Sequence, residues 1–286
     1  MGCPDFALPG LQALRDDRRF EVVAVYSMPD KPKGRGQQLG CTAVKQMALD
    51  AGLPVFTPVS FRKDPAAVEQ LRALAPDFLV VIAYGMILPQ EVLDIPRLGP
   101  INLHASLLPR YRGPAPLQFA LMSGDEITGN TVMLMNARMD EGDILAMQEL
   151  PILAGETLSS LHDRLSQAGG SFLVQTIAEF AEGKRTPKPQ DHSRATYTQK
   201  ITPELARLNW KEKSVRELDR QVRAMYPAPG AWFEIDGERW KVGAAERTTI
   251  AAEPGKIIEA DPANGLLVGC RDGLCLRLLR LQRPGK

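Results

Sequence analysis

An unbroken apolar run at residues 78–84, Phe-Leu-Val-Val-Ile-Ala-Tyr, constrains the fold more than any other part of the sequence. Apolar residues without polar alternation are typical of a parallel strand that is buried on both faces. Helical patterns at about residues 43–51 and 65–74 precede the run, and further strand and helix candidates follow it. This alternation predicts an α/β fold with a doubly wound, mostly parallel sheet.

The start of the sequence departs from this pattern. Residues 7–15 predict a short amphipathic helix, and residues 20–26 predict a strand. A doubly wound sheet normally opens with a buried strand that leads into its first helix, yet Met1 stands where that strand should end. We therefore expect the first strand of the sheet to be missing from the sequence.

The last part of the chain has a different pattern. Residues 204–286 contain one helical pattern, at about residues 215–224, and then several short strand candidates. Asp236-Gly237, Asn264-Gly265 and Asp272-Gly273 are turn signals between those strands. This pattern predicts a small OB-like β-barrel, a fold that often binds nucleic acid. We expect this domain to be truncated at its end.

The charge is distributed unevenly along the chain. Residues 1–183 carry 15 Lys and Arg against 21 Asp and Glu, a balance of −6, whereas residues 184–286 carry 20 against 13, a balance of +7. Residues 184–203 have few apolar residues and predict an extended basic linker between a domain at 1–183 and the domain at 204–286. A polyanion such as nucleic acid would be drawn to the second part, although a solvated basic surface explains the charge equally simply.

Several classes of protein are disfavoured. No apolar run approaches the roughly 18 residues that a membrane-spanning helix requires, and no signal peptide is visible. The four cysteines are too few and too scattered for a disulfide framework or a zinc knuckle. We therefore expect a cytoplasmic protein that needs no membrane and no metal.

Two polar side chains stand out in the apolar stretch at residues 101–104. Asn102 and His104 are two residues apart, so in a strand they lie on the same face. A segment with Pro109, Pro114 and Pro116 follows and ends the strand. In open α/β sheets ligands bind at the carboxyl ends of the strands. The spacing alone leaves a catalytic pair and two ordinary satisfied polar residues as equal alternatives.

The sequence around this pair resembles a known signature. Asn-x-His, followed by Ser-Leu-Leu-Pro-x-x-Arg-Gly at residues 106–113, is similar to the motif of folate-dependent formyltransferases. The resemblance implies that an aspartate completes the catalytic set, and the turn at residues 139–144 makes Asp140 the first candidate and Asp143 the weaker one. By the same resemblance Asn102 would stabilise an oxyanion, His104 would move a proton, and Asp140 would orient the imidazole.

The resemblance also implies a co-substrate, 10-formyltetrahydrofolate, and residues that bind it. These are the Ser-Leu-Leu-Pro segment and the start of the loop after the apolar run: Ser106, Leu107, Leu108, Pro109, Tyr84, Gly85, Met86 and Ile87. Arg110 and Arg112 leave two interpretations open, because they could contact the folate glutamate or tRNA phosphates, or could be surface charges.

A second resemblance concerns the partner. Pro-x-Pro-Gly-Ala-Trp at residues 227–232 is similar to the branch of the family that acts on methionyl initiator tRNA, which implies that this tRNA is the partner. We expect the protein to be a monomer. The loop at residues 28–40 resembles the tRNA-contacting loop of that branch, with Gln37 and Gln38 where Lys-Lys is usual. The implied tRNA-binding residues are Lys33, Arg35, Lys184, Arg185 and Lys188.

Three other functions fit the same sequence. A formyltransferase that acts on a nucleotide or sugar amine would use the same catalytic residues, although the basic last part of the chain argues against it. A formyl-folate hydrolase would replace the amine with water. A non-enzymatic tRNA-binding protein would result if the missing strand left the folate pocket unformed.

Overall fold

The structure, a computed structural model, describes residues 1–33 and 38–285, without the side chains of Lys33 and Gln38. The chain forms two compact units. The first comprises residues 1–113, 129–150 and 163–197, and the second comprises residues 114–128, 151–162 and 198–286. Every helix among the described residues is too short or too polar to span a lipid bilayer.

Helices and strands alternate through the first two thirds of the chain, as the sequence predicts. In chain order these elements are α1 (Leu8–Asp16), β1 (Val25–Tyr26), β2 (Lys31–Lys33), β3 (Gln38–Gly40), α2 (Ala43–Asp50), β4 (Val55–Phe56), α3 (Pro65–Ala73), β5 (Phe78–Val81), α4 (Gln90–Leu93), β6 (Gly99–His104), α5 (Pro116–Ser123), β7 (Ile127–Leu134), β8 (Ile144–Pro151) and α6 (Leu158–Ala181). The predicted α/β class is confirmed.

The sheet that carries the predicted catalytic pair has four strands in the order β5, β6, β7, β8. β5 and β6 are parallel, whereas β6 and β7 are antiparallel. β1 and β4 form a separate parallel pair. The described strands are therefore mixed rather than mostly parallel, because the chain reverses direction between β6 and β7.

Met1 and Gly2 lie between β1 and β5. The N–H of Gly2 donates to the oxygen of Tyr26 (3.0 Å), and the N–H of Ile82 donates to the oxygen of Met1 (2.9 Å). A cavity of about 560 Å³ adjoins these two residues, between residues 20–26 and 76–80. None of the predicted catalytic residues lines the cavity.

Residues 188–197, which we call the strap, belong to the first unit. One end of the strap pairs with β8, because Ile144 and Lys188 exchange main-chain hydrogen bonds of 2.8 and 2.9 Å. The other end pairs with the loop after β6 through the N–H of Arg112, which donates to the oxygen of Thr196 (2.9 Å). The sequence predicts an extended linker at 184–203, and for its central residues this prediction is wrong. The backbone bonds fix these residues to the first unit, although most of their side chains are exposed.

The second unit contains the helices α5 and α7, the first residues of α6 and an antiparallel sheet. Its later elements are α7 (Val215–Met225), β9 (Ala231–Ile235), β10 (Glu238–Ala251), β11 (Ile257–Asp261), β12 (Gly265–Gly269) and β13 (Leu274–Gln282). α7 begins with a capping box, because Ser214 and Glu217 satisfy each other's main-chain N–H groups. Its apolar face, with Leu218 and Val222, packs into the core that the strands form.

The turns of this sheet agree with the sequence prediction, but the sheet does not close into the predicted barrel. Asp236 and Gly237 both have positive φ, as an Asx-Gly hairpin turn requires. The strands follow the order β11, β12, β13, β10, β9. In the part of the chain that the structure describes, the end strands β11 and β9 do not pair with each other. The predicted barrel is therefore corrected to an open five-stranded sheet.

Burial in this core makes a prediction about thiol reactivity. Cys270 is fully buried, and burial raises the pKa of its thiol to about 12. An unfolded cysteine has a pKa of about 8.5, so at pH 9 most of the unfolded thiol is ionised while the folded thiol stays protonated. We expect iodoacetamide at pH 9 to alkylate the partly exposed Cys41 first and Cys270 only after denaturation, as measured by peptide mass spectrometry. Equal rates in the folded protein would contradict this.

Candidate active site

Asn102 and His104 lie at the carboxyl end of β6 and on the same face of the sheet. His104 is the last residue of the strand. Asn102 pairs with Val81 of β5 and Met133 of β7, so ladders on both sides fix its position. Both side chains are buried. The spacing of two residues therefore places an amide and an imidazole side by side, as the sequence predicts.

The ring of His104 is oriented by one hydrogen bond. Its Nε2 lies 2.9 Å from the main-chain oxygen of Tyr111. Because a carbonyl oxygen can only accept, we infer that Nε2 carries the hydrogen. In the neutral ring Nδ1 is then unprotonated, and it lies 3.7 Å from Oδ1 of Asp140. This distance is longer than a hydrogen bond, so the carboxylate faces the ring nitrogen without bonding to it directly.

The structure separates the two candidate aspartates. Asp140 Oδ2 accepts a hydrogen bond of 2.7 Å from the N–H of Gly113, while its Oδ1 faces His104. For Asp143 the structure shows a main-chain contact: its oxygen accepts from the N–H of Leu134 at the end of β7. Asp140 is therefore the carboxylate that the structure brings to the imidazole.

The turn that carries Asp140 has an unusual backbone. Asp140 has a φ of 53°, in the left-handed region that non-glycine residues rarely adopt. Gly142 follows, and a Cβ at this position would lie 1.6 Å from the oxygen of Leu134. Glycine is required here because the turn packs directly onto the backbone of β7.

The Ser-Leu-Leu-Pro segment is held by its own hydrogen bonds. Ser106 Oγ donates to the oxygen of Arg110 (2.6 Å), and Thr131 of β7 bonds to the main chain at both Ser106 and Leu108 (2.6 and 3.1 Å). Ser106 and Leu108 are fully or almost fully buried. These contacts shape the loop, and the assignment of the segment, with Leu107 and Pro109, to folate binding stays a prediction.

The loop after β5 has one buried polar group. The hydroxyl of Tyr84 is buried with no hydrogen-bond partner among the described residues, and burial raises the pKa of this group. Gly85 has a φ of 81°, and Ile87 is 71% exposed. The predicted folate residues Tyr84 to Ile87 therefore differ strongly in exposure, with Tyr84 inside and Ile87 outside.

The interpretation of Arg112 as a surface charge is wrong, because its side chain is fully buried. Its guanidinium contacts Oε1 of Gln190, the hydroxyl of Tyr197 and Oε1 of Glu141 at 2.7 to 3.3 Å. Sequence reasoning missed Gln190 and Tyr197 as neighbours of the site. Their segment has the composition of a linker, and no local signal distinguishes the two residues from it.

The predicted tRNA-binding residues are less completely described. Arg35 lies outside the described residues, as does the side chain of Lys33. Lys184 and Arg185 form ion pairs of 2.5 Å with Glu182 and Glu179. Hydrogen bonding to Glu182 raises the pKa of Lys184. Both residues therefore carry acidic neighbours, while Lys188 joins the strap to β8 through its backbone.

The three side chains together offer a defined chemistry. Asn102 can donate to an oxygen that gains charge, His104 can accept a proton at Nδ1, and Asp140 faces the cation that this proton creates. Among residues 1–33 and 38–285, no group of three or more His, Cys, Asp and Glu side chains is arranged to hold a metal ion. The arrangement suits acyl transfer to an amine.

Comparison with known families agrees with this chemistry. The model named formyl transferase matches residues 2–177, and the model named formyl transferase, C-terminal domain, matches residues 200–286. The chain belongs to the formyl transferase family. A methionyl-tRNA formyltransferase from Pseudomonas putida strain W619 is 49% identical over 284 residues, which cover 99% of this chain and 90% of that protein.

Solved structures share the fold at lower identity. An N-formyltransferase from Helicobacter canadensis, in complex with folinic acid and dTDP-3-aminofucose, has a TM-score of 0.71 at 17% identity, over 99% of this chain and 97% of that one. HypX from Aquifex aeolicus, in complex with tetrahydrofolic acid, has a TM-score of 0.64 at 20% identity, over 92% of this chain and 44% of that one. These likenesses establish the fold.

The close packing of Gly142 makes a testable prediction. In Gly142→Ala the new Cβ meets a backbone oxygen that cannot rotate away, so the turn or β7 must move. We expect the free energy of unfolding, from urea denaturation, to fall by on the order of 1–3 kcal/mol. Gly243→Ala is the control, since the atoms nearest to its Cβ belong to the side chain of Arg280 rather than to the backbone. Equal losses in both variants would contradict the proposed packing constraint.

Proposed function

We propose that the protein transfers the formyl group of 10-formyltetrahydrofolate to the α-amino group of methionyl initiator tRNA. One arrangement in this member of the formyl transferase family carries the proposal. Asn102 and His104 lie together on β6, and Nδ1 of His104 is 3.7 Å from Oδ1 of Asp140. The names of the relatives at 49% identity support the choice of acceptor. The folates bound by proteins of the same fold support the choice of donor.

The reaction begins with attack of the neutral amine on the formyl carbon. The carbonyl oxygen gains negative charge as the tetrahedral intermediate forms. Asn102 donates its amide N–H to this oxygen, and both neighbouring strands hold it in place before the reaction starts. Removal of a donor of this type typically lowers the rate about 100-fold to 1000-fold.

His104 and Asp140 manage the proton. The attacking amine must lose a proton and N10 of the folate must gain one before the bond between carbon and N10 breaks. Nδ1 of His104 accepts the proton from the amine, while Nε2 keeps its bond to the oxygen of Tyr111. The Asp140 carboxylate stabilises the resulting imidazolium, which then protonates N10. The ring returns to its starting tautomer, so the proton is conserved over the cycle.

Substrate binding uses two further sets of residues. Tyr84 to Ile87 and Ser106 to Pro109 line the folate, and the buried hydroxyl of Tyr84 is a donor suited to a polar group of the pterin. Lys33, Arg35, Lys184, Arg185 and Lys188 attract tRNA phosphates, together with the other basic residues between 184 and 286. A metal-free reaction by a cytoplasmic monomer is part of the same proposal.

The catalytic assignment is tested by formyl transfer to methionyl-tRNA. We expect Asn102→Ala to lower kcat about 100-fold and His104→Ala to lower it 100-fold to 10,000-fold, because each removes a group that acts on the reacting atoms. Asp140→Asn should also lower kcat strongly, because the neutral amide no longer stabilises the imidazolium. Asp143→Asn is the matched control and should retain activity.

Full activity in His104→Ala or Asp140→Asn would refute the mechanism. Transfer to sugar amines but not to methionyl-tRNA would favour the related sugar enzymes, and formate release without an acceptor would favour a hydrolase. A protein that binds tRNA but no folate, by calorimetry, would be a non-enzymatic binder.

The tRNA contacts predict a separate kinetic effect. Arg35→Ala removes a charge that the proposal places on a phosphate, so we expect a several-fold rise in KM for methionyl-tRNA with kcat and the KM for folate unchanged. The increase should shrink as KCl is raised, because counterions already screen the contact. Arg62→Ala, on an exposed loop of the first unit, is the control. Equal effects of the two variants would remove Arg35 from the tRNA site.

A further inference from the structure

We propose that Gln190 is a positioning residue that sets the place of the Asp140 carboxylate opposite His104. The inference rests on the proposed formyl transfer and deepens it. Gln190 belongs to the strap and is almost fully buried, whereas most of its neighbours in the strap are exposed. Gln190 does not contact the side chains of Asn102, His104 or Asp140. It contacts the backbone of the turn that carries Asp140.

The amide of Gln190 is bonded on both sides. Its Oε1 accepts from Nε and Nη2 of Arg112 at 3.1 and 2.7 Å. Its Nε2 donates to the main-chain oxygens of Asp140 (2.9 Å) and Gly142 (2.8 Å). Arginine only donates and carbonyl oxygens only accept, so the amide has one possible orientation. Gln190 therefore joins a buried cation to the catalytic turn with no freedom to flip.

The turn needs such a restraint. Asp140 holds a left-handed φ of 53°, which an unrestrained aspartate would leave for a more favourable region. The two bonds from Gln190 hold the carbonyls on either side of Glu141, and so fix the backbone through the strained residue. If the turn relaxed, the carboxylate would leave both Gly113 and His104.

Arg112 anchors the other side of Gln190. Its Nη1 lies 3.3 Å from Oε1 of Glu141 and 3.0 Å from the hydroxyl of Tyr197. The N–H of the next residue, Gly113, donates to Asp140 Oδ2. The same short segment therefore holds the turn twice, directly at the carboxylate and indirectly through Gln190.

The role is tested with Gln190→Met, which keeps the length of the side chain and removes its hydrogen bonds to Arg112 and to the turn. Loss of positioning by about 1 Å is expected to cost on the order of 100-fold in rate. We expect kcat to fall about 10-fold to 100-fold, with the KM values for folate and methionyl-tRNA changed less than threefold. Gln190→Glu, which keeps acceptors for Arg112 but cannot donate to the turn, should show the same loss.

A double variant separates positioning from stability. If Gln190 acts through Asp140, adding Gln190→Met to Asp140→Asn should lower kcat no further than Asp140→Asn alone. A structural role would instead give multiplied losses. Ile177→Val is the stability control: it is buried in α6 and lines the cavity rather than the site, so it should lower the melting temperature and leave kcat unchanged.

Three outcomes would overturn the inference. These are a kcat within threefold of wild type in Gln190→Met, multiplied losses in the double variant, and failure of both Gln190 variants to fold. Asp140→Asn in the same assay distinguishes failure of this inference from failure of the proposed function. Full activity of Asp140→Asn would refute the mechanism itself. An inactive Asp140→Asn together with an active Gln190→Met would refute only the positioning role.

Discussion

The burial of one guanidinium organises the site. A buried charge is tolerated only when its hydrogen-bonding groups are satisfied, and the partners of Arg112 come from the turn that carries Asp140 and from the strap. These two segments are far apart in the sequence. When the turn reaches Arg112, the carboxylate of Asp140 also reaches Gly113, because Gly113 directly follows Arg112 in the chain. The geometry of the site thus follows from the requirement to satisfy a buried cation.

The strand that carries Asn102 and His104 was predictable because the pattern that specifies it is local. Period-two alternation places Asn102 and His104 on one face, and the prolines that follow end the strand at that point. Asp140 was identified only through the resemblance to a family. Its place depends on a positive φ and on the packing of Gly142 against β7, and both are tertiary features that no nearby pattern encodes.

Two predictions failed where composition or turn signals were taken as a guide to packing. The strap resembles a linker, since its side chains are mostly polar and exposed, yet its backbone bonds and the burial of Gln190 attach it to the first unit. In the second unit the Asx-Gly turns were predicted correctly. Closure of a barrel depends on strand tilt and stagger, which turn signals do not specify, so the open sheet could not be foreseen.

The proposed catalytic groups differ in how they are held. Asn102 and His104 stand on a strand that ladders fix on both sides, so many small changes elsewhere leave them in place. Asp140 stands on a turn with an unfavourable backbone, and side-chain bonds from distant residues maintain it. A rigid element needs little support, whereas a turn needs a surrounding shell. Distant substitutions that alter catalysis should therefore act mainly through the carboxylate, because its position is the one that the rest of the fold must enforce.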